Sequence, residues 1–310
     1  MSFRGSVAVS ALTTLTSAAL TLSGGAPSAV AAPAPGCGAW SSSVVASGYT
    51  MLEGLGFDGR GGLLLSDQSA DGPGAIRRLG ADGARSTVAR VDGPGAILVS
   101  GDIAYYTTGL GVSSALAGRA DGSIESLDLN TGAIATVAAN LRLPNGLARL
   151  PGGEFVFTSD MGPEQRVSLV RNGSYAGPFA ELTSTNGVSY DAERRRLFVS
   201  TTFAPTTTVA MYDIDRPGSD PKLFTLPGFG PLNGGDDLTV GPDGAVYLAL
   251  SVGGAVVRLD PATGAFCTVA ADLPLTTSVE FGAGPGWDPN ALYATSYLGT
   301  VTELARVSSG

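Results

Sequence analysis

The segment Asp236–Ser251 reads DDLTVGPDGAVYLALS, in which a Pro-Asp-Gly turn separates two short apolar runs. Alternating and β-branched residues on both sides of such a turn are typical of two paired β-strands. The pattern occurs six times, at intervals of roughly 40 to 50 residues. The copies begin at Glu53, Gly95, Asn145, Asn186, Asp236 and Ser278.

Two further strands follow several of these copies. The third strand ends in Asp, as in SIESLDLNTG, and the fourth is rich in Thr, Val and Ala, as in AIATVAANL. Six repeats of four strands predict an all-β protein that folds as a six-bladed β-propeller.

The two ends of this repeat array are predicted to meet in the last blade. The sixth copy supplies three strands. The stretch Trp40–Ala46 resembles the fourth strands of the other copies and leads into the first repeat at Glu53. We therefore expect this N-terminal strand to close the last blade, which removes the exposed edge that an open ring would leave. The predicted propeller spans residues 40–310.

The composition excludes several classes of function. The chain has 310 residues, of which 15% are charged and none is histidine. Ser-His-Asp and Cys-His catalysis, histidine-bound zinc and an imidazole general base are therefore excluded. The formal net charge is −9, with acidic residues spread along the chain. Nucleic acids and anionic membranes favour basic patches, so we expect neither as a partner.

The first 31 residues have the features of a secretory signal peptide. One basic residue, Arg4, precedes a charge-free apolar stretch at 7–22, and Ala29-Val30-Ala31 provides the small residues of a cleavage site. We therefore predict a signal peptide at residues 1–31 and a short N-terminal segment at 32–39. No later stretch is apolar over about 18 residues, so we expect a secreted protein without a membrane anchor.

Cys37 and Cys267 are the two cysteines of the chain. In an oxidising compartment a pair of cysteines is expected to form a disulfide. Such a bridge would attach the N-terminal strand to the neighbouring blade, and it would contribute at most about 5 kcal/mol on the chain-entropy model.

The residue that opens the first strand of each repeat is a candidate for chemistry, because first strands line the central channel of a propeller. In four repeats this residue is an acid or an amide, namely Glu53, Asn145, Asn186 and Asp236. An all-oxygen set with two carboxylates suits a hard cation, and Ca²⁺ best of all, with Zn²⁺, Mg²⁺ and Mn²⁺ left open as alternatives. Each residue alone is also compatible with a turn or a solvated loop. Their shared place in the repeat favours a metal site.

These residues also carry a family resemblance. The motifs are Glu53-Gly54 ahead of LLLSD, Pro144-Asn145-Gly146, Thr185-Asn186-Gly187, and Asp236 ahead of PDGAVY. In this order they resemble the senescence marker protein/gluconolactonase family, which includes regucalcin and luciferin-regenerating enzyme. The tail TSVEFGAGPG, followed by ALYATSYLGTV, resembles the last blade of that family.

The resemblance implies a propeller with one catalytic divalent cation, usually Ca²⁺, in its channel. It makes Glu53, Asn186 and Asp236 the metal ligands, with Asn145 at the metal or against the substrate. In such enzymes the cation polarises a lactone or ester oxygen. The residue that matches Asp236 activates water or attacks directly.

Two positions depart from the family pattern. Leu143 stands where sugar-lactone members carry Arg, which favours a more apolar lactone or ester over a sugar acid. Asp237 stands where the family usually has Gly, and the resulting acid doublet is similar to that of paraoxonases and strictosidine-synthase-like propellers. Asp237 is therefore either an additional ligand or an acid beside the ligands.

The sequence thus favours a secreted, Ca²⁺-dependent hydrolase that acts on a small-molecule lactone or ester. Two alternatives remain open at this point. The same metal propeller could serve a lyase, isomerase or condensing enzyme, since a fold does not determine its chemistry. It could also be a binding propeller in which Ca²⁺ is structural. The sequence does not indicate an oligomeric state.

Overall fold

The computed structural model describes residues 36–69, 73–111, 114, 117–159, 161 and 166–307. Within these residues, 24 strands form six antiparallel four-stranded sheets, and each sheet is one blade. This architecture confirms the predicted six-bladed β-propeller. None of the helices in the described ranges is long and apolar enough to cross a membrane. The predicted signal peptide, residues 1–31, lies outside the described residues.

The strands follow the order predicted from the repeats, with the first strand of each blade innermost. Blade 1 contains β2 (Met51–Phe57), β3 (Gly62–Gln68), β4 (Gly74–Gly80) and β5 (Arg85–Val91), and blade 2 contains β6 (Ile97–Ser100), β7 (Ile103–Thr108), β8 (Gly122–Asp128) and β9 (Ile134–Leu141). Blade 3 contains β10 (Leu147–Arg149), β11 (Phe155–Thr158), β12 (Val167–Arg171) and β13 (Ser174–Ala180), and blade 4 contains β14 (Thr185–Asp191), β15 (Arg196–Thr201), β16 (Thr208–Asp213) and β17 (Lys222–Thr225). A one-turn helix, α1 (Gly230–Asn233), leads to blade 5, which contains β18 (Gly235–Val240), β19 (Val246–Leu250), β20 (Ala255–Leu259) and β21 (Phe266–Ala270). Blade 6 contains β22 (Thr276–Phe281), β23 (Leu292–Ser296), β24 (Thr300–Arg306) and the N-terminal strand β1 (Trp40–Ala46).

The hydrophobic core lies between the blades rather than at the axis. In the described part of the chain, six clusters of buried apolar side chains are present, one at each interface between neighbouring blades. For example, Phe198 and Val209 of blade 4 pack with Leu248 and Leu259 of blade 5. Both faces of each blade are therefore apolar, which explains why its strands are so rich in β-branched and aromatic residues.

The ring closes as the sequence predicts. β1 pairs antiparallel with β24, with Trp40 opposite Arg306. The predicted disulfide between Cys37 and Cys267 is formed, and it closes a loop of 230 positions. The backbone N–H of Cys37 also donates to the carbonyl of Thr268, at 2.9 Å. The strand that completes blade 6 is thus covalently attached to the outer strand of blade 5.

A β-bulge interrupts the innermost strand at the same point in four blades. In blade 1, Leu52 pairs with Asp67 and Leu55 with Leu65, so two residues of β2 oppose Ser66 alone. The bulged pairs are Glu53–Gly54, Asn186–Gly187, Asp236–Asp237 and Thr277–Ser278. Bulges are common next to active sites because they redirect side chains.

Backbone hydrogen bonds extend the same arrangement to the two remaining blades. Asn145 N–H donates to Thr158 O at 2.8 Å, and Thr158 N–H donates to Gly146 O at 3.1 Å. Gly95 and Ala96 make the matching pair of bonds with Thr107. In blade 6 the residue in register with Glu53 is Thr277. The repeat pattern predicted Ser278 for this place, which is wrong by one residue because the strand pairing starts the bulge at Thr277.

Candidate metal and active site

The four acids and amides singled out from the sequence occupy the first position of the bulge in their blades. Glu53, Asn145, Asn186 and Asp236 are at most 5% exposed. All four stand near the start of an innermost strand, so they belong to the same end of the channel. We call this end the ligand mouth. Gly95 and Thr277 occupy the first position in the other two blades.

Buried hydroxyl groups hold the backbone of all four residues. Each hydroxyl belongs to the single residue that opposes the bulge in one blade, and it donates to the first bulge residue of the next blade. The bonds run from Thr295 Oγ1 to Glu53 O (3.3 Å), from Thr107 Oγ1 to Asn145 O (2.9 Å), from Thr158 Oγ1 to Asn186 O, and from Ser200 Oγ to Asp236 O (2.6 Å). A fixed carbonyl restricts where the attached side chain can point.

The two remaining blades lack this bond. Ser66 stands at the hydroxyl position of blade 1, but its Oγ has no hydrogen-bond partner within the described part of the chain. Ala249 stands at the same position in blade 5 and has no hydroxyl. These two blades precede Gly95 and Thr277, which are not candidate ligands. The hydroxyl bonds therefore coincide with the four candidate ligands.

Sequence reasoning did not identify these hydroxyl residues. A Ser or Thr at the end of a second strand matches ordinary strand composition, because Thr is common in strands. A signal was nevertheless present in the strand ends LLLSD, YYTT, VFTSD, FVSTT and YATS. Comparing these positions across repeats would have found the series, although not its partners in the next blade.

A chain of hydrogen bonds determines which atom Asn186 presents. Thr202 Oγ1 donates its proton to Gly235 O at 2.5 Å. The Thr202 oxygen can therefore only accept from Asn186, whose Nδ2 lies 2.9 Å away. The amide oxygen of Asn186 is left buried and without a hydrogen-bond partner within the described residues. A buried, unpaired oxygen is costly unless a ligand satisfies it.

Small residues fill the second position of the bulge, where the backbone of the neighbouring blade lies close by. A Cβ atom on Gly54 would lie 2.6 Å from Gly95 O, and one on Gly187 would lie 2.6 Å from the Cα of Asp237. Five of the six second positions hold Gly, Ala or Ser, and the exception is Asp237. Asp237, the departure from the family pattern, thus occupies a position that holds a small residue in every other blade.

Asp237 belongs to a second polar group, which sequence analysis did not identify as a whole. Its Oδ2 accepts the hydroxyl of Ser278 at 2.5 Å, and its Oδ1 accepts the backbone N–H of Leu238 at 2.8 Å. Asp237 and Glu280 line a channel cavity of about 390 Å³. Burial raises the pKa of Asp237 to about 6, although both hydrogen bonds lower it. Burial, followed by the Asp237 charge, raises the pKa of Glu280 to about 8.

The donor set at the ligand mouth is suited to a hard cation. Two carboxylates and two amides offer oxygen donors, and the Asn186 oxygen is buried and unpaired. Ca²⁺ prefers such ligands. In the described ranges, no three side chains of the Asp, Glu, His or Cys types come together as a metal site. A cation here would therefore depend on the amides as much as on the acids.

Comparison with known proteins places the chain in a family. The family model described as SMP-30/Gluconolactonase/LRE-like region matches residues 74–297. This match includes three of the four candidate ligands, and Glu53 precedes it. No curated protein matches the chain.

Solved structures share the fold at low sequence identity. A gluconolactonase from Xanthomonas campestris is 18% identical with a TM-score of 0.64, covering 85% of this chain and 89% of its own. A luciferin-regenerating enzyme is 14% identical with a TM-score of 0.64, covering 86% and 95%. Virginiamycin B lyase from Staphylococcus aureus is 13% identical with a TM-score of 0.57, covering 87% and 99%.

The propeller, the ordered motifs and the extent of the family match lead to one conclusion, as the sequence resemblance predicted. The chain belongs to the SMP-30/gluconolactonase/LRE-like family.

Proposed function

We propose that this protein is a Ca²⁺-dependent hydrolase that opens a small lactone or cleaves a small ester. The observation that carries the proposal is the ring of two acids and two amides, buried at equivalent bulge positions with their backbones held by hydroxyls. Family membership and the gluconolactonase among the structural neighbours support the reaction class.

Glu53, Asn145, Asn186 and Asp236 would hold the cation. When bound, Ca²⁺ would act as a Lewis acid on the substrate carbonyl. Asp236 would accept a proton from the attacking water, since no histidine exists to do so. The oxygen of that water would form the new bond to the acyl carbon, and the original acyl C–O bond would break. The released alkoxide oxygen would take the proton held by Asp236, so that the products are a carboxylic acid and an alcohol.

We place Asp237 outside the ligand set. Both of its carboxylate oxygens already accept hydrogen bonds, from Ser278 and from the backbone of Leu238. It also lines the channel cavity together with Glu280. These contacts support the reading of Asp237 as an acid beside the ligands rather than an additional ligand.

A lyase is the second candidate, because virginiamycin B lyase shares the fold. A structure of that lyase is described as a catalytically inactive variant in which histidine is replaced by alanine. The present chain contains no histidine. The same lyase mechanism is therefore not available, and hydrolysis remains the better proposal.

We also propose that the protein is exported. The predicted signal peptide at 1–31 supports this, and so does the disulfide between Cys37 and Cys267, because such bonds persist in oxidising compartments. The N-terminus of the protein purified from culture medium would test it. A mature N-terminus near Ala32 is expected, and retention of residues 1–31 would contradict export by cleavage.

The proposed activity can be tested by proton release from a panel of lactones and aryl esters. The purified protein should turn over at least one member with CaCl₂, and a chelator should abolish that turnover. Absence of turnover in protein shown by calorimetry to bind Ca²⁺ would contradict the hydrolase.

Chelation also separates catalysis from a structural role for the cation. Removal of a weakly bound catalytic ion should leave the melting temperature nearly unchanged. Removal of a structural ion should lower the melting temperature strongly. Melting curves recorded with CaCl₂ and with a chelator measure the difference. Unfolding on chelation, together with no turnover, would favour a binding propeller.

A further inference from the structure

Exposed apolar side chains are concentrated on one side of the ligand mouth. We define the apolar rim as the six large hydrophobic residues there that are 40 to 67% exposed, namely Phe203, Phe229, Leu232, Val252, Leu275 and Leu298. The other large hydrophobics exposed in the described part of the chain lie elsewhere. Most of them are on outer strands, such as Val44, Ile134, Tyr175 and Leu223.

Topology places all six rim residues at the ligand mouth. The innermost strand of each blade starts there and the second strand returns there, so the loops after second and fourth strands lie at this end. Phe203, Val252 and Leu298 follow the second strands of blades 4, 5 and 6. Phe229, Leu232 and Leu275 follow the fourth strands of blades 4 and 5, shortly before Asp236 and Thr277.

Backbone hydrogen bonds connect these loops to one another. Gly230 N–H donates to Pro205 O at 2.9 Å, which connects the Phe203 loop to α1. Gly253 N–H donates to Asn233 O at 2.9 Å, which connects α1 to the Val252 loop. The series continues from Leu275 N–H to Ser251 O (3.1 Å) and from Tyr297 N–H to Leu275 O (3.0 Å).

The rim has almost no charge. Its loops span residues 202–207, 226–234, 251–254, 271–275 and 297–299, and Asp272 is the one charged residue in them. A clustered, uncharged apolar surface of this kind usually marks a binding site. The loops that carry Phe229, Leu232 and Leu275 lead directly into the strands of Asp236 and Thr277. A substrate whose carbonyl reaches Asp236 enters through this end of the channel, which argues for the substrate as the occupant of the rim.

We infer that the substrate is amphiphilic: its ester or lactone group enters the ligand mouth, and its alkyl or aryl portion packs on the apolar rim. This inference rests on the proposed function. It adds to that function a substrate with a hydrophobic portion and a place where that portion binds. The buried Leu143 favours an apolar substrate but does not indicate where it would bind. Each added methylene that reaches the rim should raise kcat/KM about two- to fourfold, by removing apolar surface from water.

The test uses p-nitrophenyl acetate, butyrate, hexanoate and octanoate with the full chain and CaCl₂. We expect kcat/KM to rise along the series, mainly through KM. In the Phe229→Ser/Leu232→Ser double variant, the ratio of kcat/KM for octanoate to that for acetate should fall about tenfold. Leu223→Ser is the matched control, because Leu223 is 55% exposed but lies on the outer strand β17.

The outcomes separate this inference from the proposed function. Ca²⁺-dependent hydrolysis with a flat chain-length series, or with a series unchanged in the double variant, would overturn the inference and leave the hydrolase intact. No hydrolysis of any ester or lactone would instead contradict the proposed function.

The same double variant also tests two other possible occupants of the apolar rim. Co-sedimentation with phosphatidylcholine vesicles tests a membrane, and size-exclusion chromatography tests a second copy of the chain. If the double variant loses vesicle binding or dimerisation while the ester series is unchanged, the rim is not a substrate surface and the inference is wrong.

Discussion

The two positions of the inner-strand bulge are adjacent in the chain but hold different types of residue. The first position holds the four acids and amides at the ligand mouth, whose side chains are buried but carry oxygen donors. The second position holds Gly, Ala or Ser in five blades, because the next blade lies within contact distance. The residue type at the first position therefore reflects the need for oxygen donors, and the residue type at the second reflects the limited space. Asp237 is the exception, because it is a larger acid at a second position.

The largest expected effect follows from changing chemistry at the first position. Asp236→Asn should lower kcat by about 10³-fold, because an amide cannot accept the proton of the attacking water. Its free energy of unfolding should stay close to that of the unmodified protein. Steady-state ester hydrolysis and urea denaturation measure the two quantities.

Asp237→Asn is the control for this experiment, since it changes the adjacent carboxylate. We expect its activity to stay within about tenfold of the original, because Asp237 is not in the proposed ligand set. A loss equal to that of Asp236→Asn would show that the doublet acts as a unit.

Adding one methyl group at the second position should lower stability, in contrast to Asp236→Asn, which should lower activity alone. In Gly187→Ala the new Cβ would lie 2.6 Å from Asp237 Cα and 2.8 Å from Asp236 O, so backbone must shift. We expect a loss of about 3 kcal/mol in the free energy of unfolding, measured by urea denaturation. Gly36→Ala is the control, because no atom lies within 4 Å of its new Cβ. Equal stability of the two variants would remove the steric explanation.

A smaller effect is expected from the residue that orients a first-position side chain. Thr202→Val removes the acceptor for Asn186 Nδ2, so the orientation of the amide is no longer fixed. We expect Ca²⁺ affinity to fall about tenfold in calorimetry with CaCl₂ alone. Thr202→Ser should restore the affinity.

Thr201→Val is the control for loss of a buried hydroxyl nearby, because the Thr201 hydroxyl bonds to the backbone of Thr208 rather than to a candidate ligand. Unchanged affinity in Thr202→Val would show that the amide orientation does not matter for the cation.

The smallest effect concerns the acid beside Asp237. The pKa of Glu280 is raised from 4.5 to about 8, so the folded protein binds a proton that the unfolded chain releases. The contribution of Glu280 to stability is therefore fully present below about pH 4.5 and is lost as pH rises through 8. Glu280→Gln should reduce this slope and increase stability at pH 8 by about 1–2 kcal/mol. Urea denaturation at pH 5 and pH 8 measures it, and an unchanged slope would contradict the raised pKa.

Some features of the protein followed from sequence because they are periodic. The repeat of strand and turn predicted six blades, and the strand at Trp40–Ala46 predicted the closure of blade 6. The cysteine pair predicted the disulfide, which is formed. The candidate ligands were found in the same way, because Glu53 and Asp236 share a phase of the repeat. Whether they bind a metal stays a prediction.

Other features depend on contacts between blades, which a repeat cannot reveal. Thr158 and Ser200 are ordinary strand residues in sequence, and only the packed ring brings each hydroxyl to a carbonyl of the next blade. The same holds for Glu280, whose pKa is raised by burial and by a charge on blade 5.

The sequence by itself determined the family, the number of blades and the residue types at the ligand mouth, since these depend on local pattern and order along the chain. The tertiary structure decided which atoms face one another: the unpaired amide oxygen of Asn186, the crowding at Gly187 and the linked loops that carry the apolar rim. The physical reason is that hydrogen-bond direction, steric contact and desolvation depend on distances between segments far apart in sequence, and those distances exist only once the ring has closed.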